Sequence, residues 1–226
     1  MKWIYRICSL CLFLSPFGGG AFEFFDNHMP GEIIVPKVNN CVTVITDGQI
    51  EKEEWMGSKE IVLSAMDSVY LYVRQTDTHI FLAIKAPFRM IPWVDMYFDF
   101  GDKHILNVHS SAQLGERNLD DTSWNAQSPP FHFGNTDRWY ANEQRFDRIK
   151  AQELIAADPN RNRITMLWET TFHYDGYEYI FSKSRFSKNK WKVFIEVQTA
   201  MPGYRKVVYP LQSGPKLSDS WVTFIF

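Results

Sequence analysis

The run Val94–Phe100, VDMYFDF, constrains this chain more than any other stretch, because it alternates without a break. Met96, Phe98 and Phe100 fall on one side of an extended chain, and Asp95, Tyr97 and Asp99 on the other. Successive side chains of a strand point to opposite faces, so the run reads as a half-buried strand. The next run, HILNVHS, sets Leu106 and Val108 on one face and Asn107 and His109 on the other. Matching apolar to apolar leaves Gly101-Asp102-Lys103 as the loop, where Gly101 or Asp102 takes the positive φ such loops need. That register pairs Phe98 with Leu106, Met96 with Val108, Tyr97 with Asn107 and Asp95 with His109. One face is then core; the other is polar, aromatic and rich in hydrogen-bonding groups.

The same period recurs along the chain. VYLYVRQ (69–75) and HIFLAIK (79–85) form a hairpin whose apolar sets align with Val73 against Ile80 and Leu71 against Leu82. ITMLWETTF (164–172), YEYIFSK (177–183), WKVFIEVQ (191–198) and WVTFIF (221–226) read as further strands. RIKAQELIAA (148–157) has helical composition and is closed by Asp158-Pro159. From Leu114 to Phe146 the regularity is lost, and an irregular stretch that long is often functional. About nine or ten short strands with one or two short helices predict an all-β fold, an antiparallel β-sandwich of immunoglobulin or jelly-roll type.

At 226 residues the chain fits one domain, and a net charge of -2 gives no electrostatic case for nucleic acid. Lys2 and Arg6, the apolar run to Phe17, and Gly19-Gly20-Ala21 predict a signal peptide over 1–21 and a single domain over 22–226. The run is too short to cross a bilayer, which needs about 20 apolar residues. The expected location is exported: periplasmic, extracellular or at the cell surface, with no transmembrane segment after cleavage. Cys8 and Cys11 leave with the signal, so Cys41 stands alone in an apolar, strand-like run and no internal disulfide is expected.

One segment departs from generic soluble sequence: TDGQIEKEEW, with Asp47, Glu51, Glu53 and Glu54 ahead of Trp55. Further on come YLYVRQTDTHIFLAI (70–84), the acidic-aromatic DMYFD (95–99) and the late GYEYI (176–180). In this order the pieces resemble the carbohydrate-binding module family 9-like domains, within the broader DOMON-like sandwich group, over roughly residues 40 to 226. The resemblance implies a non-catalytic β-sandwich that binds carbohydrate. It does not carry the family's sugar-clamping tryptophans onto particular positions here. It makes the acids structural: Asp47-Gly48 supplies a turn, Glu51–Glu54 sit early in a helical turn and Trp55 buries its ring. A calcium ion is the rival reading, since oxygen-rich loops bind that ion; no other cofactor is expected.

A sugar presents apolar C–H faces and hydroxyls, which proteins meet with aromatic rings and with multivalent hydrogen-bonding groups. The polar face of the Asp95 hairpin, with Asp95, Tyr97, Asn107 and His109, has that chemistry. Trp93, Trp124 and Trp139 are the expected stacking rings, with Arg117 and Arg138 completing the hydrogen bonding; Trp168, Trp191 and Trp221 are expected in the core. The competing reading covers this face with the long loop, its polar groups satisfying one another. Asp95 and Asp99 lie roughly 13 Å apart along one strand, which fits neither glycosidase geometry. His104, His109, His132 and His173 have no spacing that favours iron, and Met66 and Met96 read as core. The expected partner is a poly- or oligosaccharide. The alternative is a structural sandwich that docks onto an envelope protein or glycosidase.

Overall fold

The computed structural model describes residues 31–39, 44–87, 93–102, 104–111, 113–120, 130–134, 136–142, 147–162, 166, 170, 174–186, 188–199, 205–216 and 218–226. The expected signal peptide, Cys41, Trp124, Trp168 and His173 lie outside the described residues.

Two sheets face each other. The first holds β1 (Glu32–Ile34), β5 (Trp93–Asp99), β6 (Ile105–Ser110), β7 (Leu114–Leu119), β8 (His132–Phe133), β11 (Lys190–Thr199), β12 (Arg205–Tyr209) and β13 (Val222–Ile225). Its order is β1-β13-β11-β5-β6-β7-β8, with β12 pairing along the far half of β11. The second sheet holds β2 (Lys59–Ser64), β3 (Val69–Gln75), β4 (His79–Lys85), β9 (Trp139–Ala141) and β10 (Gly176–Ser182), in the order β2-β3-β4-β10-β9. All pairings between these strands are antiparallel except β1 with β13. The expected β-sandwich is therefore the fold. The α-helix α1 (Arg148–Ala157) matches the expected helix and is capped by Asp147, whose carboxylate accepts from the N–H groups of Ile149 and Lys150.

Between the sheets sit Val69, Leu71, Val73, Leu82, Ile84, Met96, Phe98, Val108, Phe181, Trp191 and Ile195, every one fully buried. These are the apolar phases of their strands, and their transfer from water is the main drive for closing the sandwich. Trp191 and Trp221 are buried as expected, but Trp221 packs on the outside of the first sheet, with Tyr97, Leu119 and Phe194.

The β5–β6 register is the expected one, with Asp95 opposite His109 and Tyr97 opposite Asn107. Gly101 takes φ +76 in the connecting loop. The β3–β4 hairpin is shifted by two residues from expectation: Val73 pairs with Leu82 and Leu71 with Ile84. A shift of two keeps the same faces buried, so apolar matching cannot detect it. The turn decides it: Thr76 N–H donates to the His79 carbonyl at 2.8 Å, and Thr76 Oγ1 accepts from the N–H groups of Thr78 and His79.

Three further expectations are corrected. The supposedly irregular 114–146 stretch contains β7, β8 and β9. Met166 and Thr170, expected in a strand, are helical: Met166 N–H bonds the Asn162 carbonyl, and Thr170 Oγ1 donates to the Met166 carbonyl four residues back. Met66, expected in the core, is 81% exposed in the turn after β2.

Candidate functional site

The acidic turn resolves as scaffold. Gly48 takes φ +81, and a Cβ there would meet the Tyr174 ring at 2.2 Å, so only glycine fits. The N–H groups of Asp47 and Gly48 donate to Glu178 Oε2 at 3.1 and 2.9 Å, and the Trp55 indole N–H donates to Glu178 Oε1 at 3.0 Å. Asn142 secures the same strand, donating to the Gly176 carbonyl and accepting from Glu178 N–H. Glu178 lies on β10 with its side chain on the outer side of the second sheet, fully buried. Burial pushes its carboxyl up to about 7, against the pull of the Gly48 and Trp55 bonds. Arg74, also fully buried, lies 5.0 Å over the Trp55 ring and donates to the Glu54 carbonyl at 2.6 Å. In the sequence Glu178 shows only as part of a strand motif, because its role depends on a partner 130 residues away. Among the described residues, no group of three or more His, Cys, Asp or Glu side chains is placed to hold a metal ion.

The polar face of the first sheet is assembled as follows. A row crosses it from Asp95 to His109 to Gly115 to Phe133. Asp95 Oδ1 lies 3.0 Å from His109 Nδ1, and His109 Nε2 lies 3.0 Å from Ser111 Oγ. An ionised carboxylate only accepts, so with Asp95 charged Nδ1 carries the proton. One row below, Arg117 Nε donates to Asn107 Oδ1 at 2.8 Å, and Asn107 Nδ2 donates to the Met96 carbonyl. Phe131 lies over this cluster, its ring 4.1 Å from the Arg117 guanidinium and 5.2 Å from the His109 ring. Gly115 makes room: a Cβ there would meet Phe133 at 2.9 Å.

Of the expected site residues, Asp95, Asn107, His109 and Arg117 are brought together. Trp93 stands at the start of the same strand, 37% exposed. Tyr97 is on this face but buried beneath Trp221 and Phe194, with its hydroxyl donating to Glu196 at 3.3 Å. Burial, with Asp95 and Glu196 beside it, holds that phenol well above its ordinary value. Trp139 and Arg138 are elsewhere. Trp139 is 3% exposed, stacked on Phe181 in the core, and its indole donates to Glu116 Oε2 at 2.7 Å. Arg138 donates to the other oxygen of Glu116 at 2.5 Å. Glu116 has the inward phase of Leu114, so the pair clamps β9 to β7 between the sheets. The rings the sequence reading did not place here are Phe131 and Phe133, the latter 58% exposed. The alternation Phe131-His132-Phe133 after Pro130 was their signal, and two residues of strand are too short to read by period.

Asp95, His109 and Ser111 line up as acid, base and hydroxyl, an order that invites comparison with acyl-transfer enzymes. Two backbone donors beside the hydroxyl are already engaged. The N–H of Ser111 bonds the Gln113 carbonyl, and the N–H of Gln113 bonds Ser111 Oγ, so these two donors are not free for an oxyanion. A fluorophosphonate probe is therefore expected to leave Ser111 unlabelled, as read by intact-protein mass spectrometry; stoichiometric labelling lost in His109→Ala would contradict this.

Among the described residues no helix is long and apolar enough to cross a membrane. No protein-family model matches the chain, and no curated protein matches it. Among solved structures it is similar to a carbohydrate binding module family 9 from Caldicellulosiruptor kristjanssonii in complex with glucose. That likeness has a TM-score of 0.49 and 10% identity, covering 86% of this chain and 94% of that one. It is also similar to a family 9 module from the same organism in complex with cellotriose, with a TM-score of 0.47, 9% identity, and coverage of 86% and 92%.

Proposed function

We propose that this protein is an exported, non-catalytic carbohydrate-binding protein that holds a poly- or oligosaccharide on the outer face of its first sheet. One observation carries the reading: two exposed aromatic rings, Trp93 and Phe133, flank a hydrogen-bonded polar row of Asp95, His109 and Ser111. The rings stand on β5 and β8, three strand spacings apart, or about 14 Å, the span of a short oligosaccharide rather than one sugar. Ring faces take the apolar C–H surface of pyranoses, and the row between offers donors and acceptors to their hydroxyls. The row is fixed by its own bonds before a ligand arrives, which lowers the ordering cost of binding.

The test is retention on polysaccharide affinity gels. Trp93→Ala with Phe133→Ala is expected to abolish retention while leaving the melting temperature within about 2 °C of the parent, since both rings are partly in solvent. Parent-like retention by the double variant overturns the reading. A second reading, docking onto an envelope protein, draws on Val62 and Met66, 51% and 81% exposed on edge strand β2 and the turn after it. In that case Val62→Lys severs the partnership and leaves polysaccharide retention as it was.

A further inference from the structure

The geometry points to a second saccharide subsite, on the outer face of the opposite sheet, sized for a single pyranose unit. A cleft of about 300 Å³ opens there, lined by Ser68, Tyr70, Tyr72, Lys85 and Asp175. That volume lies at the lower end of small-ligand sites. The alternation of β3 builds its floor. Val69, Leu71 and Val73 face the core, so Tyr70 and Tyr72 project outward side by side, both half-buried. Lys85 stands opposite Tyr70 in the ladder with β4.

The polar rim is held in place by the rest of the fold. Lys85 Nζ donates to the Ile50 carbonyl at 2.6 Å, which anchors the ammonium and leaves two of its protons for another acceptor. Tyr72 stands opposite Glu60 in the ladder with the neighbouring strand β2. Asp175 is pinned through its backbone: its N–H donates to the Gly48 carbonyl at 2.7 Å and its carbonyl accepts from Ala86 N–H at 2.9 Å. Its carboxylate is bonded by no side chain among the described residues. Ser68, at the mouth, takes φ +52, a conformation uncommon for a residue other than glycine, asparagine or aspartate. The acidic turn thus acquires a purpose: through Gly48 and Ile50 it braces two walls of this cleft.

Two tyrosine rings with an acceptor carboxylate and a donor ammonium at the edge suit a vicinal diol over an aromatic floor. The site rests on the saccharide reading above only for the class of its ligand. With one site on each outer face, a single molecule can hold two polysaccharide chains at once, and the gain in avidity needs no further contact.

The experiment is a titration of 15N-labelled protein with glucose, galactose, glucuronate and cellotriose, following amide shifts on both faces. At least one of these is expected to shift Tyr70, Ala86 and Asp175 saturably. Tyr70→Ala and Lys85→Met should each weaken that response about tenfold, the equivalent of about 1.4 kcal/mol, while Trp93→Ala leaves it unchanged. Shifts confined to the Trp93 face, or no shift near Tyr70 with any of the four sugars, overturn the second site. Shifts confined to the Tyr70 cleft support it and instead overturn the assignment to the Trp93 face. A response at Tyr70 that Lys85→Met leaves at parent strength also overturns the site as described.

Discussion

Glu178→Ala is expected to lower the stability of the sandwich by about 3 to 5 kcal/mol near pH 5, more than any surface change. The carboxylate receives three donors, the N–H groups of Asp47 and Gly48 and the Trp55 indole, all drawn in around a fully buried side chain. Removing it strands those donors in a buried site. The pH profile supplies an independent readout. Burial raises the Glu178 carboxyl from 4.5 to about 7 in the folded protein, so folding favours the protonated form. The stability this confers is complete below about 4.5 and is lost as pH rises through about 7, a decline worth about 3 kcal/mol. Glu54, raised first by burial as well, adds to the decline in the same direction. Urea unfolding across this window should show the decline in the parent and a much flatter profile in Glu178→Gln, which keeps the shape and drops the charge. A Glu178→Ala protein as stable as the parent would show that the turn stands without its buried acceptor.

Trp139→Ala is expected to cost about 4 kcal/mol and to leave polysaccharide retention of the folded protein unchanged. The indole fills the space between the sheets beside Tyr179 and Phe181, and its N–H is one of two donors holding Glu116. Trp139→Phe keeps most of the volume, loses the indole donor and should cost about 1 kcal/mol. Thermal unfolding and gel retention together check the claim. Retention lost at an unchanged melting temperature would return Trp139 to the ligand face.

These two residues show where reading the chain alone stops. A period of two tells which residues share a face, and for Met96, Phe98, Leu106 and Val108 that was enough to fix both pairing and burial. It does not tell which outward face stays in water. Tyr97 and Asp95 have the same phase, yet Trp221 and Phe194 cover the first, while the second keeps a partly open row. Trp139 lies in a three-residue strand, too short for alternation to declare its direction. The β3–β4 hairpin adds a subtler limit, since pairing shifted by two residues satisfies the apolar pattern equally well and the bonds Thr76 makes in the turn distinguish the two.

The chain by itself determined the sandwich, the helix over 148–157 and the Asp95–His109 pairing. Each of these follows from local periodicity or local turn chemistry, which act over a few residues. Only the tertiary structure decided that Glu178 closes the Asp47-Gly48 turn, that Trp139 is core, that Phe131 and Phe133 line the polar face, and that Tyr70 and Lys85 share a cleft with Asp175. Those facts join segments tens to more than a hundred residues apart, and which distant groups meet is set by how two sheets stack, not by any pattern within one strand.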